Sequence, residues 1–213
     1  MQNIMQHMKR LKWLTGFVVF IVSLIGLQGA RPALAGSPTE AIKETIDTVF
    51  AILHDPVLKG DEKKEERNML LRKTVAARFD FQEMAKRALG PYWKRYEIKQ
   101  EKFAVLFADL LGAVYLDTIE WGVKAEAFYL HESVEGEDAE VDTKIVPSNG
   151  EGLEISYKLH MVEGEWKAYD VLVEHISMIQ NYRSQFYHIL GRHSFDELLE
   201  RMRKKIEALR KWS

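Results

Sequence analysis

Any reactive centre in this chain would have to be built from histidine, carboxylate and hydroxyl side chains, because the sequence contains no cysteine. Without thiols there is no disulfide framework, no thiolate metal site and no cysteine nucleophile. Beyond residue 35 the histidines are His54, His131, His160, His175, His188 and His193. Only His188 and His193 stand close, five apart across an expected helix end, and no pair has a zinc spacing with a carboxylate partner. Ser156 and Ser177 lie in no nucleophile-elbow sequence, and no glycine-rich loop follows a strand to cradle phosphate. One acid stands out. Asp170 shares an expected strand face with Trp166 and Leu172, and a carboxylate on an inward face needs a partner. The nearby candidate is Arg183. Two readings of that pair stay open: an ion pair tying strand to helix, or a polar contact to a bound ligand. A lone Asp/Arg pair does not make an active site, so the expectation is a non-enzymatic protein without metal or cofactor.

The elements that would position these residues read as helices, then strands, then helices. Ser37-Pro38-Thr39-Glu40 is a capping box with proline at the first helical position. The helix it launches carries Ile42, Ile46, Val49, Phe50 and Leu53 on one stripe. Asp61 begins a charged helix that turns apolar around Met69 to Val75. Asp80 caps a short helix bearing Phe81, Met84, Ala85 and Ala88, which Gly90-Pro91 terminates. The longest helix, Lys99 to Trp121, is apolar over a wide arc, as a helix covered on much of its circumference would be. Beyond Gly122 the period changes to two: Val141, Thr143 and Ile145 alternate with polar residues, as do Leu153, Ile155, Tyr157, Leu159 and Met161. Val123 to His131 supplies a first strand, and the Pro147–Gly152 loop and Glu163-Gly164 turn join hairpins. Two helices follow, Met178 to Leu190 and one capped by Ser194. The fold class is therefore α+β, with an antiparallel sheet of about four strands and about six helices against one face. That is more apolar helix surface than one sheet face can cover. Either the helices also pack on one another or some of the surface lines an internal pocket.

The first 35 residues have their own layout. Lys9, Arg10 and Lys12 form a basic head, Trp13 to Leu27 an apolar stretch, and Ala33-Leu34-Ala35 a small-residue exit. That is the layout of a cleaved secretory signal peptide, too short to span a bilayer; the alternative is an uncleaved anchor. The expected product, residues 36–213, is one domain with no linker or repeat. The leader holds four of the 30 basic residues and no acid, so cleavage leaves 26 basic against 32 acidic residues, about −6. An acidic chain without a basic run has no electrostatic footprint for nucleic acid and no charge-driven attraction to anionic membranes.

A resemblance is carried by Phe79-Asp80-Phe81, Met84, Leu89-Gly90 and Trp93, followed by Phe103, Phe107, Leu111 and Tyr115. It continues in Gly164-Glu165-Trp166-Lys167-Ala168-Tyr169-Asp170-Val171, Glu174 and Ser177, and Asn181-Tyr182-Arg183-Ser184-Gln185-Phe186. Over residues 40–208 the chain resembles the MlaC family, also called the toluene-tolerance auxiliary component of ABC transporters, whose members are periplasmic phospholipid-binding proteins. One departure is visible: the family usually has glycine where this chain has His175, and a side chain there would narrow a cavity mouth or alter the strand-to-helix turn.

The resemblance implies an apolar cavity between sheet and helices that holds the acyl chains of a phospholipid. It implies a periplasmic carrier that shuttles lipid between an outer-membrane lipoprotein complex and an inner-membrane ABC transporter with an MCE-domain subunit, maintaining outer-membrane lipid asymmetry. The residues joining the family motif to an apolar face, and so expected to bind lipid, are Phe81, Met84, Phe103, Phe107, Leu110, Leu111, Leu159, Val171, Tyr182 and Phe186. Other readings are a carrier of another apolar lipid such as a hopanoid, a small hydrolase or isomerase using Asp170, and a non-catalytic envelope adaptor with a filled core.

Overall fold

Ser37 opens the first helix, α1 (Pro38–His54), as its capping box requires: the Ser37 hydroxyl accepts from the Glu40 N–H and the Glu40 carboxylate accepts from the Ser37 N–H. The computed structural model describes residues 36–119, 125–148 and 150–212, which form one compact unit; the expected leader lies outside the described residues. After α1 come α2 (Lys64–Arg78), α3 (Phe81–Leu89), α4 (Pro91–Arg95) and α5 (Gln100–Ile119). The strands are β1 (Ala125–Glu135), β2 (Asp138–Pro147), β3 (Leu153–Val162), β4 (Glu165–Val173) and β5 (Ile176–Ser177), and α6 (Met178–Leu190) and α7 (Phe195–Trp212) close the chain. Short 3₁₀ turns precede α2 and α5.

The sheet is antiparallel throughout and meanders in sequence order from β1 to β5. Sequence periodicity gives four strands; the fifth is two residues long, too short to express a period. The additional helix, α4, arises because Pro91 does not simply end α3: its fixed φ suits a first helical position, and a new turn starts there. Gly90, between the two helices, has φ +52° and ψ −125°. A β-carbon there would lie 2.2 Å from the Tyr187 hydroxyl. The chain needs glycine at this point.

Two bulges shape the sheet, one in β1 between Tyr129 and His131 and one in β4 that inserts Tyr169 between residues paired with Lys158 and Leu159. The register places Ala139, Val141, Thr143 and Ile145 of β2 on one face with Tyr157 and Leu159 of β3 and with Trp166, Ala168 and Val171 of β4. Helix α1 meets this sheet at β1, where the Thr39 N–H donates to the Glu132 carboxylate at 2.7 Å and the Lys43 ammonium lies 5.9 Å from the Tyr129 ring centre. The end of α2 is fastened to β4: Arg78 donates to the Trp166 carbonyl at 2.9 Å and Lys167 to the Ala77 carbonyl at 2.8 Å.

His175 sits in the two-residue turn between β4 and β5, where both Glu174 (φ 47°) and His175 (φ 64°) are left-handed. Its side chain is 82% exposed. The effect of a non-glycine residue here is on the backbone of the turn, which a glycine adopts without strain.

Candidate functional site

The ten residues singled out from the sequence fall into two groups. Met84 of α3, Phe103, Phe107, Leu110 and Leu111 of α5, and Tyr182 and Phe186 of α6 are all buried in one cluster. Phe81, half-buried, packs against its margin. The aromatic members stack and cross one another: ring centres are 5.7 Å apart for Phe103–Phe107, 5.5 Å for Phe107–Phe186 and 5.1 Å for Phe107–Tyr182. Helix α7 seals this cluster with Phe195, Leu198, Leu199 and Met202. So the surplus apolar helix surface is absorbed largely by helix-on-helix packing.

Leu159 and Val171 belong instead to the sheet. They share a face with Tyr157, which pairs with Val171, while Leu159 pairs with Ala168. On this face Leu159 is fully buried, whereas Ile155 and Tyr157 beside it are only half-buried. A smaller cluster of Leu53, Leu71 and Leu116 joins α1, α2 and the end of α5, with Val49, Phe50 and Ile119 half-buried at its edge. None of these half-buried apolar residues is among the ten expected from the sequence to bind lipid. Alternation in β3 marks Ile155 and Tyr157 as inward-facing, but periodicity carries no information about which inward residues remain incompletely covered.

A family model for the MlaC protein matches residues 43–204. The chain belongs to the MlaC family. Among solved structures it is similar to a phospholipid-binding protein from Ralstonia solanacearum, determined in complex with a phospholipid: the TM-score is 0.73 at 20% identity, covering 82% of this chain and 99% of that one. No curated protein matches the sequence. Among the described residues of this MlaC chain no helix is long and apolar enough to cross a membrane, and no three metal-ligating side chains come together.

In this MlaC protein Asp170 is buried, but not on the face of Trp166. The β4 bulge at Tyr169 reverses the alternation, so Asp170 pairs with Lys158 on the opposite side of the sheet. Its partners also differ from the Arg183 expected from the sequence. The Ser177 hydroxyl donates to one carboxylate oxygen at 2.5 Å and the Ile179 N–H to the other at 3.1 Å. Ser177 is itself the cap of α6, accepting from the Gln180 N–H at 3.0 Å. The carboxylate thus anchors the positive end of α6 to β4. Asp170→Ala strands both donors and is expected to cost about 1–3 kcal/mol, read as a lower urea midpoint at unchanged slope; Asp170→Asn, which keeps an acceptor, should cost less. Wild-type stability for the alanine variant would show that this anchor is dispensable.

The interior of this MlaC fold also holds phenols. The Tyr129 hydroxyl is buried and has no hydrogen-bond partner among the described residues. Burial, reinforced by the Asp47 charge, pushes its pKa from 10.0 up to about 12. Burial likewise raises Tyr157, which a hydrogen bond to Thr143 partly opposes, and Tyr182, where Tyr115 adds to the effect. A phenol whose folded pKa lies above its unfolded value adds stability that is complete below the unfolded pKa and is lost as pH rises through the folded one. Melting temperature should therefore fall between pH 10.0 and about 12 for Tyr129, and Tyr129→Phe should flatten that decline. Thermal melts across that range decide the matter: an unchanged slope in the Phe variant would contradict it.

Proposed function

We propose that this protein is a periplasmic phospholipid carrier that moves lipid between the outer membrane and an inner-membrane ABC transporter. The observation that carries the reading is the MlaC family match across most of the unit formed by residues 36–213. The shared fold with a protein solved around a phospholipid supports the choice of ligand. Acyl chains are proposed to lie between the half-buried sheet residues Ile155 and Tyr157 and the helices opposite. Leu159 and Val171 form the sheet side. Phe81, Met84, Phe103, Phe107, Leu110, Leu111, Tyr182 and Phe186 form the apolar helix side, which must loosen where a chain enters. The first 35 residues are proposed to direct export and to be removed. An MCE-domain subunit of the transporter and an outer-membrane lipoprotein complex are the proposed partners.

The physical logic is one of equivalent environments. Two acyl chains carry about 30 methylenes, worth roughly 24 kcal/mol out of water at ~0.8 kcal/mol each, so unassisted exchange through water is prohibitive. Bilayer and apolar interior shelter the chains almost equally, and direction is then imposed by docking and by ATP hydrolysed in the transporter. The test is mass spectrometry of an organic extract of protein purified from the envelope without detergent. Near-stoichiometric phospholipid is expected. A lipid-free protein that extracts no labelled phospholipid from vesicles would rule the carrier out, and a hopanoid in the extract would reassign the cargo.

A further inference from the structure

A cleft of about 450 Å³ opens where α3 and α6 meet the outer side of β3 and β4. Four cationic side chains line it, Lys86, Arg87, Lys158 and Arg183, against two carboxylates, Glu83 and Asp170. In a chain that is acidic as a whole, this is a local reversal of sign.

The two carboxylates are already engaged. Glu83 is bonded by both Lys86 at 2.7 Å and Arg87 at 2.9 Å, so one anion answers two cations. Asp170 is turned to Ser177 and the Ile179 N–H at the start of α6. Arg183 donates its Nε to the Tyr187 hydroxyl at 3.2 Å, and no carboxylate pairs with its guanidinium among the described residues. Lys158 has no bonded partner among them either, although Glu140 and Asp170 are its cross-strand neighbours.

The cations are also held in place. The Arg87 guanidinium lies 3.8 Å from the Tyr169 ring centre, and Tyr187, which receives Arg183, is itself packed edge-on to Tyr92 at 5.2 Å. Gly90 leaves room for Arg183: a β-carbon there would meet its Nη2 at 2.8 Å. A planar guanidinium without a carboxylate, fixed beside further cations in a concave wall, is suited to a tetrahedral oxyanion, which it grips through two nitrogens at once.

We propose that this cleft binds a phosphate group, with Arg183 as the principal ligand and Lys158 as a second contact. The phosphate is either the head group of the carried lipid, which rests on the carrier reading above and requires the lipid to pass round the β4–β5 edge of the sheet, because the cleft lies on the face opposite Tyr157 and Val171, or a free phosphate, which requires neither.

The test titrates inorganic phosphate into lipid-free and lipid-loaded protein at constant ionic strength, measuring affinity by calorimetry in every variant and locating the site by the Arg183 side-chain N–H resonance in the proteins that keep Arg183. Binding of dihexanoyl phosphatidylglycerol and of dihexanoylglycerol, which lacks phosphate, is measured alongside. A saturable response to phosphate is expected, weakened about tenfold or more by Arg183→Gln and about threefold by Lys158→Met. For a head-group site, lipid-loaded protein loses the phosphate response, and Arg183→Gln weakens phosphatidylglycerol but not dihexanoylglycerol. For a free-phosphate site, loaded and lipid-free protein respond alike. Phosphate binding without lipid binding upholds the cleft and removes the carrier reading. Equal affinity for both lipids with no phosphate response does the reverse. Lys158→Met, on a strand surface, keeps the proposal testable if Arg183→Gln fails to fold. Unchanged phosphate affinity in the folded variants, or a response to an acidic peptide and none to phosphate, overturns it.

Discussion

Phe107→Ala is expected to lower stability by about 3–5 kcal/mol, among the largest effects a single substitution in this chain can have. Phe107 is wholly buried and touches Phe103, Tyr182 and Phe186 by its ring. Truncation removes the transfer energy of the ring and leaves a cavity walled by α5 and α6 within a cluster that α7 also packs, so collapse around it is limited. Leu110→Asp, one turn on and also buried, should cost several kcal/mol by placing a carboxylate without a partner in the same cluster. Urea unfolding of lipid-free and lipid-loaded protein measures both. A loss below ~1 kcal/mol for Phe107→Ala would mean that the ring borders a space able to open rather than a packed interior. That outcome would support lipid entry between α5 and α6, and added phospholipid should then stabilise the variant more than the wild type.

How far the sequence discloses this architecture depends on what each signal measures. The capping box at Ser37 and the Ser194 cap, whose hydroxyl accepts from the Glu197 N–H at 3.2 Å, are local chemistry and appear where the residues place them. The hairpin at Glu163-Gly164 follows the same rule, with φ of 51° and 84° suited to a two-residue turn. Asp170 is the instructive failure. Strict alternation puts it beside Trp166, but one bulged residue, Tyr169, turns every side chain beyond it to the other face. Nothing in the local pattern marks that insertion. The candidate site divides similarly. An apolar helical stripe identifies Phe103, Phe107 and Phe186 as inward-facing, yet whether they meet a ligand or one another depends on where α7 lies, and that is a long-range matter of packing. The unexpected concentration of cations around Arg183 is equally non-local, because its members come from α3, β3 and α6.

Bound phospholipid is expected to survive exhaustive dialysis and extreme dilution yet to leave within an exchange assay once vesicles are added. The reason is the asymmetry between water and bilayer as acceptors. Release into water exposes about 30 methylenes at a gross transfer cost of roughly 24 kcal/mol; the ordering and association costs of binding lower the net figure, yet what remains still makes dissociation by this route negligible. Release into a bilayer trades one apolar environment for another, and the remaining barrier is the transient exposure along the path, which contact with a membrane or a docking partner shortens. Delipidation should therefore require detergent, organic solvent, membranes or a partner protein. Volume should matter as well. Leu111→Trp, which adds bulk to the proposed helix side, should reduce the lipid recovered per protein, whereas His175→Gly, which acts on an exposed turn, should leave it unchanged. Phosphorus content per protein before and after dialysis, and transfer of labelled lipid to acceptor vesicles, give the two halves of the result. Loss of lipid on dialysis alone would mean that the acyl chains stay in contact with water in the complex, and the proposed apolar site would have to be abandoned.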